Sequence, residues 1–406
     1  MTPNLLAKFI DKHNYDIRLS RNGRWIDQKC ALDAVCFVAD CVLDYIVNGG
    51  KQPFQSPDIW KSQYSIDNVQ LWFGKPDPLN PATLDEYNKF FRQPLKMLAA
   101  AGILREEGKV KNTIQFAVEN IDVLKYIALR ERNSFDFLCL YIEKTLKDSG
   151  LWDSFESFLD AQSQEYLDIV KTTFSDFCIQ NTPINTEREA NRIFIKVLNP
   201  LACKYHKRGT ERGRISKSII TYNKIMYNQP NWRDVLAGKD KNIARGDFRI
   251  PVAEETDSRV QYRISRAKKN LRRFNDEYNG GKSEILDKFS VGEKATHMHH
   301  IFPKNQFEEI ADYVENLIAI TSGQHLQKAH PNGNTQIVDR DYQYICLICK
   351  TESIRKNLME NAEESVIYSF DDFMFVLDTG LSSDYFGHLP DNDFSSVVNG
   401  IEINYR

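Results

Sequence analysis

The apolar positions of the first 200 residues recur mostly at helical spacing. An apolar-rich run over 25–46 ends at an Asn-Gly-Gly sequence, which contains residue types that commonly stop a helix. The runs 135–147 and 152–177 also place apolar and aromatic residues at helical spacing, and such stripes are buried against neighbouring elements. The pattern therefore predicts mainly helical N-terminal and middle regions whose aromatic residues form the core.

A shorter stretch of the N-terminal region changes from helical to strand-like spacing. Thr83 and Glu86 have the spacing of a capping box, and the helix that they begin has to pass Pro94. The segment AGILREEGKVKNTIQF follows and ends in β-prone residues. A helix that leads into such a segment resembles the recognition helix and wing of winged-helix modules. The resemblance implies DNA contacts, and a solvated rim of a structural domain is the alternative. The basic residues concerned are Arg92, Lys96, Arg105, Lys109 and Lys111.

Length and breaks in the pattern predict three parts. A chain of 406 residues can form two or three domains with separate cores. The predicted parts are 1–130, helical and winged-helix-like; 131–278, helical with basic segments; and 279–406, which carries the histidine-rich motif described below. The last boundary is placed near 276–284, where Asn-Gly-Gly interrupts the pattern. The expected fold class is α+β.

The composition is that of an ordinary soluble protein, with 42% hydrophobic and 27% charged residues. No apolar run approaches the roughly 18 to 20 residues of a membrane helix, so no membrane partner is expected. The first residues carry charges where a secretory signal would be apolar, which predicts a cytoplasmic protein. The eight cysteines are scattered, so reduced core thiols are expected, including the Cys346 and Cys349 pair.

A net charge of −3 does not by itself indicate a nucleic-acid-binding protein, so any DNA contact has to come from local clusters. The segment 203–234 combines basic residues with glycines and aromatic residues, a mixture that suits contact with phosphates and base edges. A solvated loop is the alternative. The basic residues are Lys204, Lys207, Arg208, Arg212, Arg214 and Lys217, and the aromatic residues are Tyr222, Tyr227 and Trp232. A basic amphipathic helix over 259–274 has a further face that could lie along phosphates.

Five of the eight histidines fall within a single stretch, 297–330. His299 and His300 adjoin an apolar extended segment, and neighbours in a strand point to opposite faces, so the two rings are expected to have different roles. Asn316 precedes a second short apolar strand. His325 is predicted in the first turn of a short helix over 324–329, with Ser322 as its N-cap.

This order of strand, loop, strand and helix, with His325 nine positions after Asn316, resembles the HNH nucleases, also called the ββα-metal family. The resemblance covers about 290–360. It implies that His299 and His325 are metal ligands, that His300 is the general base and that Asn316 braces the loop. Some members place a histidine four residues after the helical one. That position is Ala329 here. The next histidine, His330, and the earlier His297 are both interpreted as ordinary polar residues.

The residue types fit the chemistry of phosphodiester hydrolysis. A neutral imidazole can accept a proton near pH 7, and a cation is needed to neutralise charge on the phosphate. Two imidazoles alone leave most coordination positions to water and phosphate oxygens, which suits Mg²⁺. Nitrogen ligands also admit Mn²⁺, Co²⁺ or Ni²⁺.

Together these features lead to the expectation of a site-specific endonuclease for double-stranded DNA, resembling Type II restriction enzymes of the HNH class. That resemblance implies a companion DNA methyltransferase that acts on the same site. One active site per chain favours either a homodimer or sequential nicking of the two strands. Two alternatives remain open: a DNA-binding regulator whose nuclease-like domain is structural, and a nuclease directed at modified DNA or at RNA.

Overall fold

The computed structural model describes residues 3–73, 75, 77–227, 257–330, 338–360 and 366–405. Within these ranges the protein is mixed helix and sheet, mainly helical with a few short strands, in agreement with the expected α+β class. The chain divides into two compact units between Glu254 and Glu255. Each unit has its own core and is described separately.

The first unit, Pro3–Glu254, is built mainly from helices. Its described helices are α1 (Pro3–Asp11), α2 (Ile17–Ser20), α3 (Leu32–Val47), α4 (Ser56–Trp60), α5 (Gln63–Phe73), α6 (Leu84–Ala100), α7 (Ile121–Leu129), α8 (Glu131–Asp148), α9 (Trp152–Ala161), α10 (Gln164–Asn181), α11 (Glu187–Lys204) and α12 (Tyr222–Ile225), with a 3₁₀ turn at Pro81–Thr83. Its strands are β1 (Phe54–Gln55), β2 (Leu104–Val110), β3 (Thr113–Val118), β4 (Thr210–Glu211) and β5 (Arg214–Ile215).

Helix α3 is the centre of this unit. Every residue from Leu32 to Asp44 is buried, as expected of a helix that is covered on all sides. Helices α7 and α8 both pack against it. The predicted parts 1–130 and 131–278 therefore meet in one core. The apolar run that predicted this helix begins at residue 25, but Trp25 is buried in the preceding loop and the helix begins at Leu32.

Helix α6 leads into a small antiparallel sheet with strand order β1-β3-β2. The helix is continuous through Pro94. The β2–β3 hairpin turns at Lys111 and Asn112, which both have positive φ, as a type I′ turn requires. The capping box predicted at the start of the helix is not formed, because the Thr83 hydroxyl donates to the carbonyls of Asp77 and Asn80 instead.

The second unit contains the histidine-rich segment. Its described elements are α13 (Asp257–Tyr278), β6 (His297–His300), β7 (Leu317–Ile320), α14 (Ser322–Gln324), α15 (Arg340–Arg355), α16 (Phe370–Leu381) and α17 (Phe394–Tyr405), with 3₁₀ turns at Glu308–Ile310, Val314–Asn316 and Phe386–His388 and π-helical turns at His325–Ala329 and Lys356–Glu360. Strands β6 and β7 are antiparallel, and His299 lies opposite Ile318.

The two units divide about twenty residues before the boundary expected at 276–284. Helix α13 belongs to the second unit because it packs against β6 and β7. One visible link is the Arg272 guanidinium, whose Nη2 donates to the carbonyl of Thr296 at 2.7 Å. The local sequence pattern does not reveal this long-range contact. In that pattern the Asn-Gly-Gly sequence after α13 is the stronger sign of a domain boundary.

A buried ion pair holds the outer edge of β7. The backbone N–H of Glu284 donates to the carbonyl of Ala319 at 2.9 Å, and the N–H of Ala319 donates to Glu284 Oε1 at 2.8 Å. Lys350 Nζ lies 3.2 Å from the same carboxylate and donates to the Tyr368 hydroxyl at 2.7 Å. Both charged side chains are almost fully buried. The pair therefore fixes the strand that follows Asn316.

All eight cysteines are free thiols, as the scattered pattern predicted. Cys346 is buried on α15, whereas Cys349 on the same helix is half-buried. None of the helices in the described ranges has both the length and the apolar composition needed to cross a membrane.

Candidate functional site

Strand β6 presents its histidines on two faces. The His299 ring lies against the rings of His325 and His330, with centroids 5.3 and 5.1 Å away. His297, two residues earlier on the same face, stacks on His325 at 4.5 Å. His300 points to the other side and bonds to the loop after the strand. This is the alternation expected of adjacent strand residues.

A π-helical turn brings His325 and His330 together. The turn His325–Ala329 has the wider i to i+5 hydrogen-bonding pattern in place of the α-helical one, so side chains five positions apart become neighbours. The two ring centroids are 4.7 Å apart. His330, interpreted from the sequence as an ordinary polar residue, therefore lies in the cluster.

The start of this turn is fixed by a buried amide. Thr321, rather than the predicted Ser322, is the N-cap, and it forms a capping box with Gln324. Gln324 Oε1 accepts hydrogen bonds from the Ser283 hydroxyl at 2.7 Å and from the Thr321 N–H at 3.0 Å. Its Nε2 donates to the Ile285 carbonyl and to Asp287 Oδ1. With all of its hydrogen-bonding capacity used, Gln324 holds the histidine that follows it in a defined position.

Three of the histidines form the one group of His, Cys, Asp and Glu side chains in the described ranges that could hold a metal ion. Ligand atoms of His299, His325 and His330 all lie within 4.8 Å of one another. His299 Nε2 and His325 Nδ1 are buried, and neither has a hydrogen-bond partner among the described residues. A buried ring nitrogen left unpaired is costly. The three imidazoles therefore fit zinc or a divalent ion of a later transition metal, because these ions bind imidazole well.

The ring nitrogens are available at neutral pH. Burial lowers the pKa of His299 well below its usual range, and the neighbouring His325 and His330 lower it further. Burial also lowers the pKa of His325 to about 4 and that of His300 to about 4. All three imidazoles are therefore neutral at pH 7, which is the form that can bind a metal or accept a proton.

His300 is held in one tautomer. Its Nε2 lies 3.0 Å from the carbonyl oxygen of Ala311, which can only accept, so this nitrogen carries the proton. Nδ1 then keeps its lone pair and can accept a proton from another molecule. The orientation suits the general base implied by the HNH resemblance.

Asn316 closes the loop between β6 and β7. Its Oδ1 accepts the N–H of Phe302 at 2.8 Å, and its Nδ2 donates to the carbonyls of Phe302 and Ile310, each at 3.1 Å. Its own carbonyl accepts the N–H of Ile301 at 2.9 Å. These contacts are those expected of a residue that braces the loop, and this loop contains the Ala311 carbonyl that orients His300.

The basic segment of the first unit forms a short hairpin, β4–β5. Arg212 and Gly213 form its turn, both with positive φ. Arg212, Arg214 and Lys217 are exposed, and no carboxylate among the described residues pairs with them. Arg208 differs from these three because its guanidinium Nη2 donates to the Gln162 carbonyl at 2.7 Å and its N–H donates to the Gln162 side chain. Arg208 therefore anchors the hairpin to the domain.

The other predicted DNA contacts lie around α6 and the β2–β3 hairpin. Arg92 is exposed and Lys96 half-buried on one face of α6, and Lys109 and Lys111 are exposed on the hairpin. Arg105 is paired with Glu107 on β2 and with Glu119, which follows β3. In the segment 203–234, Lys204 is paired with Glu143 at 2.7 Å, and Trp232 lies outside the described residues.

No protein-family model, curated protein or solved structure matches this chain.

Proposed function

We propose that this chain is a metal-dependent endonuclease of the ββα-metal type for double-stranded DNA. The observation that carries the proposal is the cluster of His299, His325 and His330, which contains two buried ring nitrogens without partners in the described structure. His300, with a free lone pair, lies on the same strand, and Asn316 braces the loop that orients it. A structural copy of the fold would have no need for unpaired nitrogens.

His299, His325 and His330 would hold the ion. A divalent ion bound there supplies Lewis acidity that neutralises charge on the phosphate and the leaving oxygen. Three nitrogen donors fit Zn²⁺, Co²⁺ or Ni²⁺ better than Mg²⁺, which prefers oxygen ligands and suits a site with only two histidines. We therefore expect Zn²⁺, Co²⁺ or Ni²⁺ to be a better cofactor than Mg²⁺. In the usual affinity order Mn²⁺ binds more weakly than these three ions, so it is placed between them and Mg²⁺.

His300 would remove a proton from the attacking water through Nδ1. The bond from its Nε2 to the Ala311 carbonyl keeps the ring in position and fixes the tautomer throughout the reaction. Asn316 contributes by holding the loop that contains Ala311, so it acts as a positioning residue. In this assignment only His300 transfers a proton.

The first unit would bind the DNA. The exposed, unpaired charges of Arg212, Arg214 and Lys217 at the end of a rigid hairpin suit contacts with phosphates. Arg92 and Lys96 on α6 are a second contact, in keeping with a winged-helix module in which β2 and β3 form the wing. Arg208 is left out of the contact set because its side chain bonds to Gln162.

By its layout, a recognition unit followed by a nuclease unit, the protein would act as a site-specific enzyme similar to Type II restriction endonucleases. A companion methyltransferase would then protect the host site. Double-strand cleavage would need either a homodimer or two successive nicks, because each chain has one histidine cluster in its described part.

The test is incubation of the purified protein with unmodified phage DNA and Co²⁺, Ni²⁺, Mn²⁺ or Mg²⁺, beside His300→Ala and an EDTA control. We expect discrete fragments from the wild type alone and unchanged DNA binding by His300→Ala. Cleavage by His300→Ala at the wild-type rate would exclude it as the base. If the wild type leaves unmodified DNA intact but cuts modified phage DNA, the substrate is modified DNA; if it cuts neither yet binds DNA specifically, the protein is a regulator.

A further inference from the structure

The loop before β6, residues 281–295, is held by its own hydrogen bonds. The Ala295 N–H donates to the Gly281 carbonyl at 2.8 Å, which brings the two ends of the loop together. Between them, residues 287–290 form a turn. The Ser290 N–H donates to the Asp287 carbonyl at 3.1 Å, and the Asp287 N–H donates to Ser290 Oγ at 2.9 Å. These bonds define the path of the loop and therefore which of its side chains face solvent.

The turn is flanked by two apolar side chains that are almost fully exposed. Leu286 comes directly before the turn and Val291 directly after it. They are 85% and 81% exposed, more than any other large apolar side chain in the described part of the chain. Both line the same open depression of about 550 Å³. Single apolar side chains at a surface are ordinary, but an adjoining pair in a defined loop marks a site where a partner binds.

The surroundings of this apolar pair are positively charged. Two of the lysines around it line the same depression, and two others lie 5.0 and 5.5 Å from the centre of the Phe289 ring. All four are exposed, and none of their ammonium groups pairs with a described residue. They are, in that order, Lys282, Lys294, Lys288 and Lys328.

Fewer carboxylates than lysines lie in this part of the surface. Glu284 is buried and neutralised by Lys350. That leaves half-buried Asp287 and exposed Glu293 against the four lysines. The surface is therefore net positive in a protein whose net charge is −3. An apolar pair among unpaired cations is complementary to a polyanion that also offers apolar surface, which describes the stacked bases and phosphates of DNA.

The loop is attached to the turn that carries a metal-binding histidine. The Phe289 carbonyl accepts the Thr321 hydroxyl at 3.0 Å, and Asp287 Oδ1 accepts a hydrogen bond from Gln324 Nε2 at 3.0 Å. Thr321 and Gln324 form the capping box that directly precedes His325. A molecule that covers the apolar pair therefore lies close to the histidine cluster.

We propose that Leu286 and Val291 form a wedge that enters duplex DNA between neighbouring base pairs, while the surrounding lysines contact its phosphates. Aliphatic wedges unstack a base step and kink the duplex, and lysines that neutralise phosphates release counterions. The kink then falls beside the histidine cluster, so the wedge presents the adjoining phosphate for cleavage. The choice of DNA as partner rests partly on the nuclease function proposed above, whereas the exposed apolar pair and its charge do not depend on it.

Tryptophan substitution gives a direct probe of the wedge. All five native tryptophans precede residue 254, so Leu286→Trp adds a single fluorophore to the second unit. Ile403→Trp is the matched control, because Ile403 is 77% exposed on α17 of the same unit. Each substitution is made in full-length His300→Ala, so that the DNA stays intact, and the signal of His300→Ala itself is subtracted. The probe is a short DNA duplex of mixed sequence with a dye at each end, so that energy transfer reports bending.

We expect the duplex to quench the fluorescence of Leu286→Trp, because the indole stacks on bases, and to leave that of Ile403→Trp unchanged. Leu286→Ser with Val291→Ser should weaken DNA binding roughly tenfold or more, the effect of losing the burial of an aliphatic side chain. The same double variant should reduce the bend of the duplex. Ile403→Ser should change neither quantity, and circular dichroism shows that each variant is folded.

Several outcomes would overturn the wedge. One is an equal response of Leu286→Trp and Ile403→Trp to the duplex, or no response of either. Another is a change in Leu286→Trp that follows protein concentration without DNA, which would show that a second copy of the chain covers the loop. A response to vesicles of anionic lipid but not to the duplex would instead make the loop a membrane-binding surface.

Two further outcomes separate the wedge from the nuclease proposal. Quenching of Leu286→Trp by DNA, together with no cleavage by the wild type in any of the metals tested, supports the wedge and contradicts the nuclease. Cleavage by the wild type, together with unchanged DNA affinity and bending in Leu286→Ser with Val291→Ser, supports the nuclease and overturns the wedge.

Discussion

At the scale of single residues, the unpaired nitrogens of the histidine cluster lower the stability of the fold, and a bound metal would remove this free-energy cost. A buried polar atom without a partner costs about 1–3 kcal/mol, and His299 Nε2 and His325 Nδ1 are two such atoms in the described structure. The other buried polar side chains around them are bonded, as Gln324 and Asn316 show. A bound ion would give both ring nitrogens a partner.

A metal should stabilise the fold through His330. At free metal about one hundred times Kd, binding adds about 2.7 kcal/mol to the free energy of unfolding. We expect Co²⁺ to raise the Tm of the wild type and His330→Ala to lose most of that rise. His297→Ala is the matched control, because His297 stacks on His325 but lies outside the three-histidine group. An equal Tm rise in wild type and His330→Ala would remove His330 from the ligand set.

Asp33 should make the first unit less stable as pH rises from about 4 to 6. Burial raises the pKa of this carboxyl to about 6, above the ordinary value of an unfolded Asp. The folded state then holds a proton that the unfolded state has released, so the free energy of unfolding falls between the two pKa values, by about 3 kcal/mol in all, and is flat above them. Asp33→Asn should lack this fall.

Tryptophan fluorescence in urea measures this prediction, because all five tryptophans precede residue 254 and report on the first unit alone. The free energies of unfolding of the wild type and Asp33→Asn are compared at each pH, because their difference cancels the contributions of the other carboxyl groups. A constant difference from pH 4 to 7 would show that Asp33 ionises normally in the folded unit.

Local chemistry is enough to predict most of the site from the sequence. His299, His300, Asn316 and His325 could be predicted because adjacent histidines in a strand, an asparagine before the next strand and a histidine after a cap are short-range patterns. His330 could not, because no residue type near Gln324 shows that the turn widens from α to π.

At the scale of elements, the ββα segment is held by bonds from outside itself. Glu284 uses its backbone and side chain to pair with Ala319 on the free edge of β7, and Lys350 neutralises that carboxylate. The outer edge of β7 thus depends on Glu284 and Lys350, about 35 and 31 positions from Ala319 along the chain.

Lys350→Met should destabilise the second unit strongly. It leaves the Glu284 carboxylate buried without its partner, and breaking a buried pair in this way costs about 3–5 kcal/mol. Calorimetry of the full chain would show a lowered transition for the second unit. Adding Glu284→Gln should restore part of the stability, because it removes the buried charge. As a control, Lys356→Met removes an exposed pair with Glu352 and should cost under about 1 kcal/mol.

If Lys350→Met and Lys356→Met lower the transition equally, the Glu284 pair does not hold β7. If the double variant is no more stable than Lys350→Met, the destabilisation comes from packing around the lysine stem.

At the scale of the whole molecule, the chain forms two compact units, and the proposed function assigns DNA binding to the first and cleavage to the second. The sequence was sufficient for the α+β class and for the order of strand, loop, strand and helix in 297–329, because each of these is a local pattern. It misplaced the division of the chain, since the pairing of α13 with β6 is a tertiary contact. The nuclease and winged-helix assignments are still predictions.

Charge reversal tests whether the first unit binds DNA. Arg212→Glu with Arg214→Glu should weaken DNA binding at least tenfold and reduce the salt slope by about 0.9 for each phosphate that the protein no longer neutralises. A second double variant, Lys8→Glu with Lys12→Glu, changes the net charge by the same amount. Lys8 is exposed on α1 and Lys12 is exposed just after it, and this variant should have a much smaller effect. Binding should be measured with His300→Ala, so that the DNA stays intact. If both double variants weaken DNA binding equally, the hairpin contributes only through its general charge and not through specific phosphate contacts.

The most direct test of the central claim is a titration of metal-free protein with Co²⁺ while the rate of DNA cleavage is recorded. We predict no cleavage without metal, a rise in rate that ends at one equivalent per chain, and no comparable rise for His299→Ala. Cleavage by the metal-free wild type, or an undiminished rate in His299→Ala, would contradict the account of a three-histidine metal site that hydrolyses DNA.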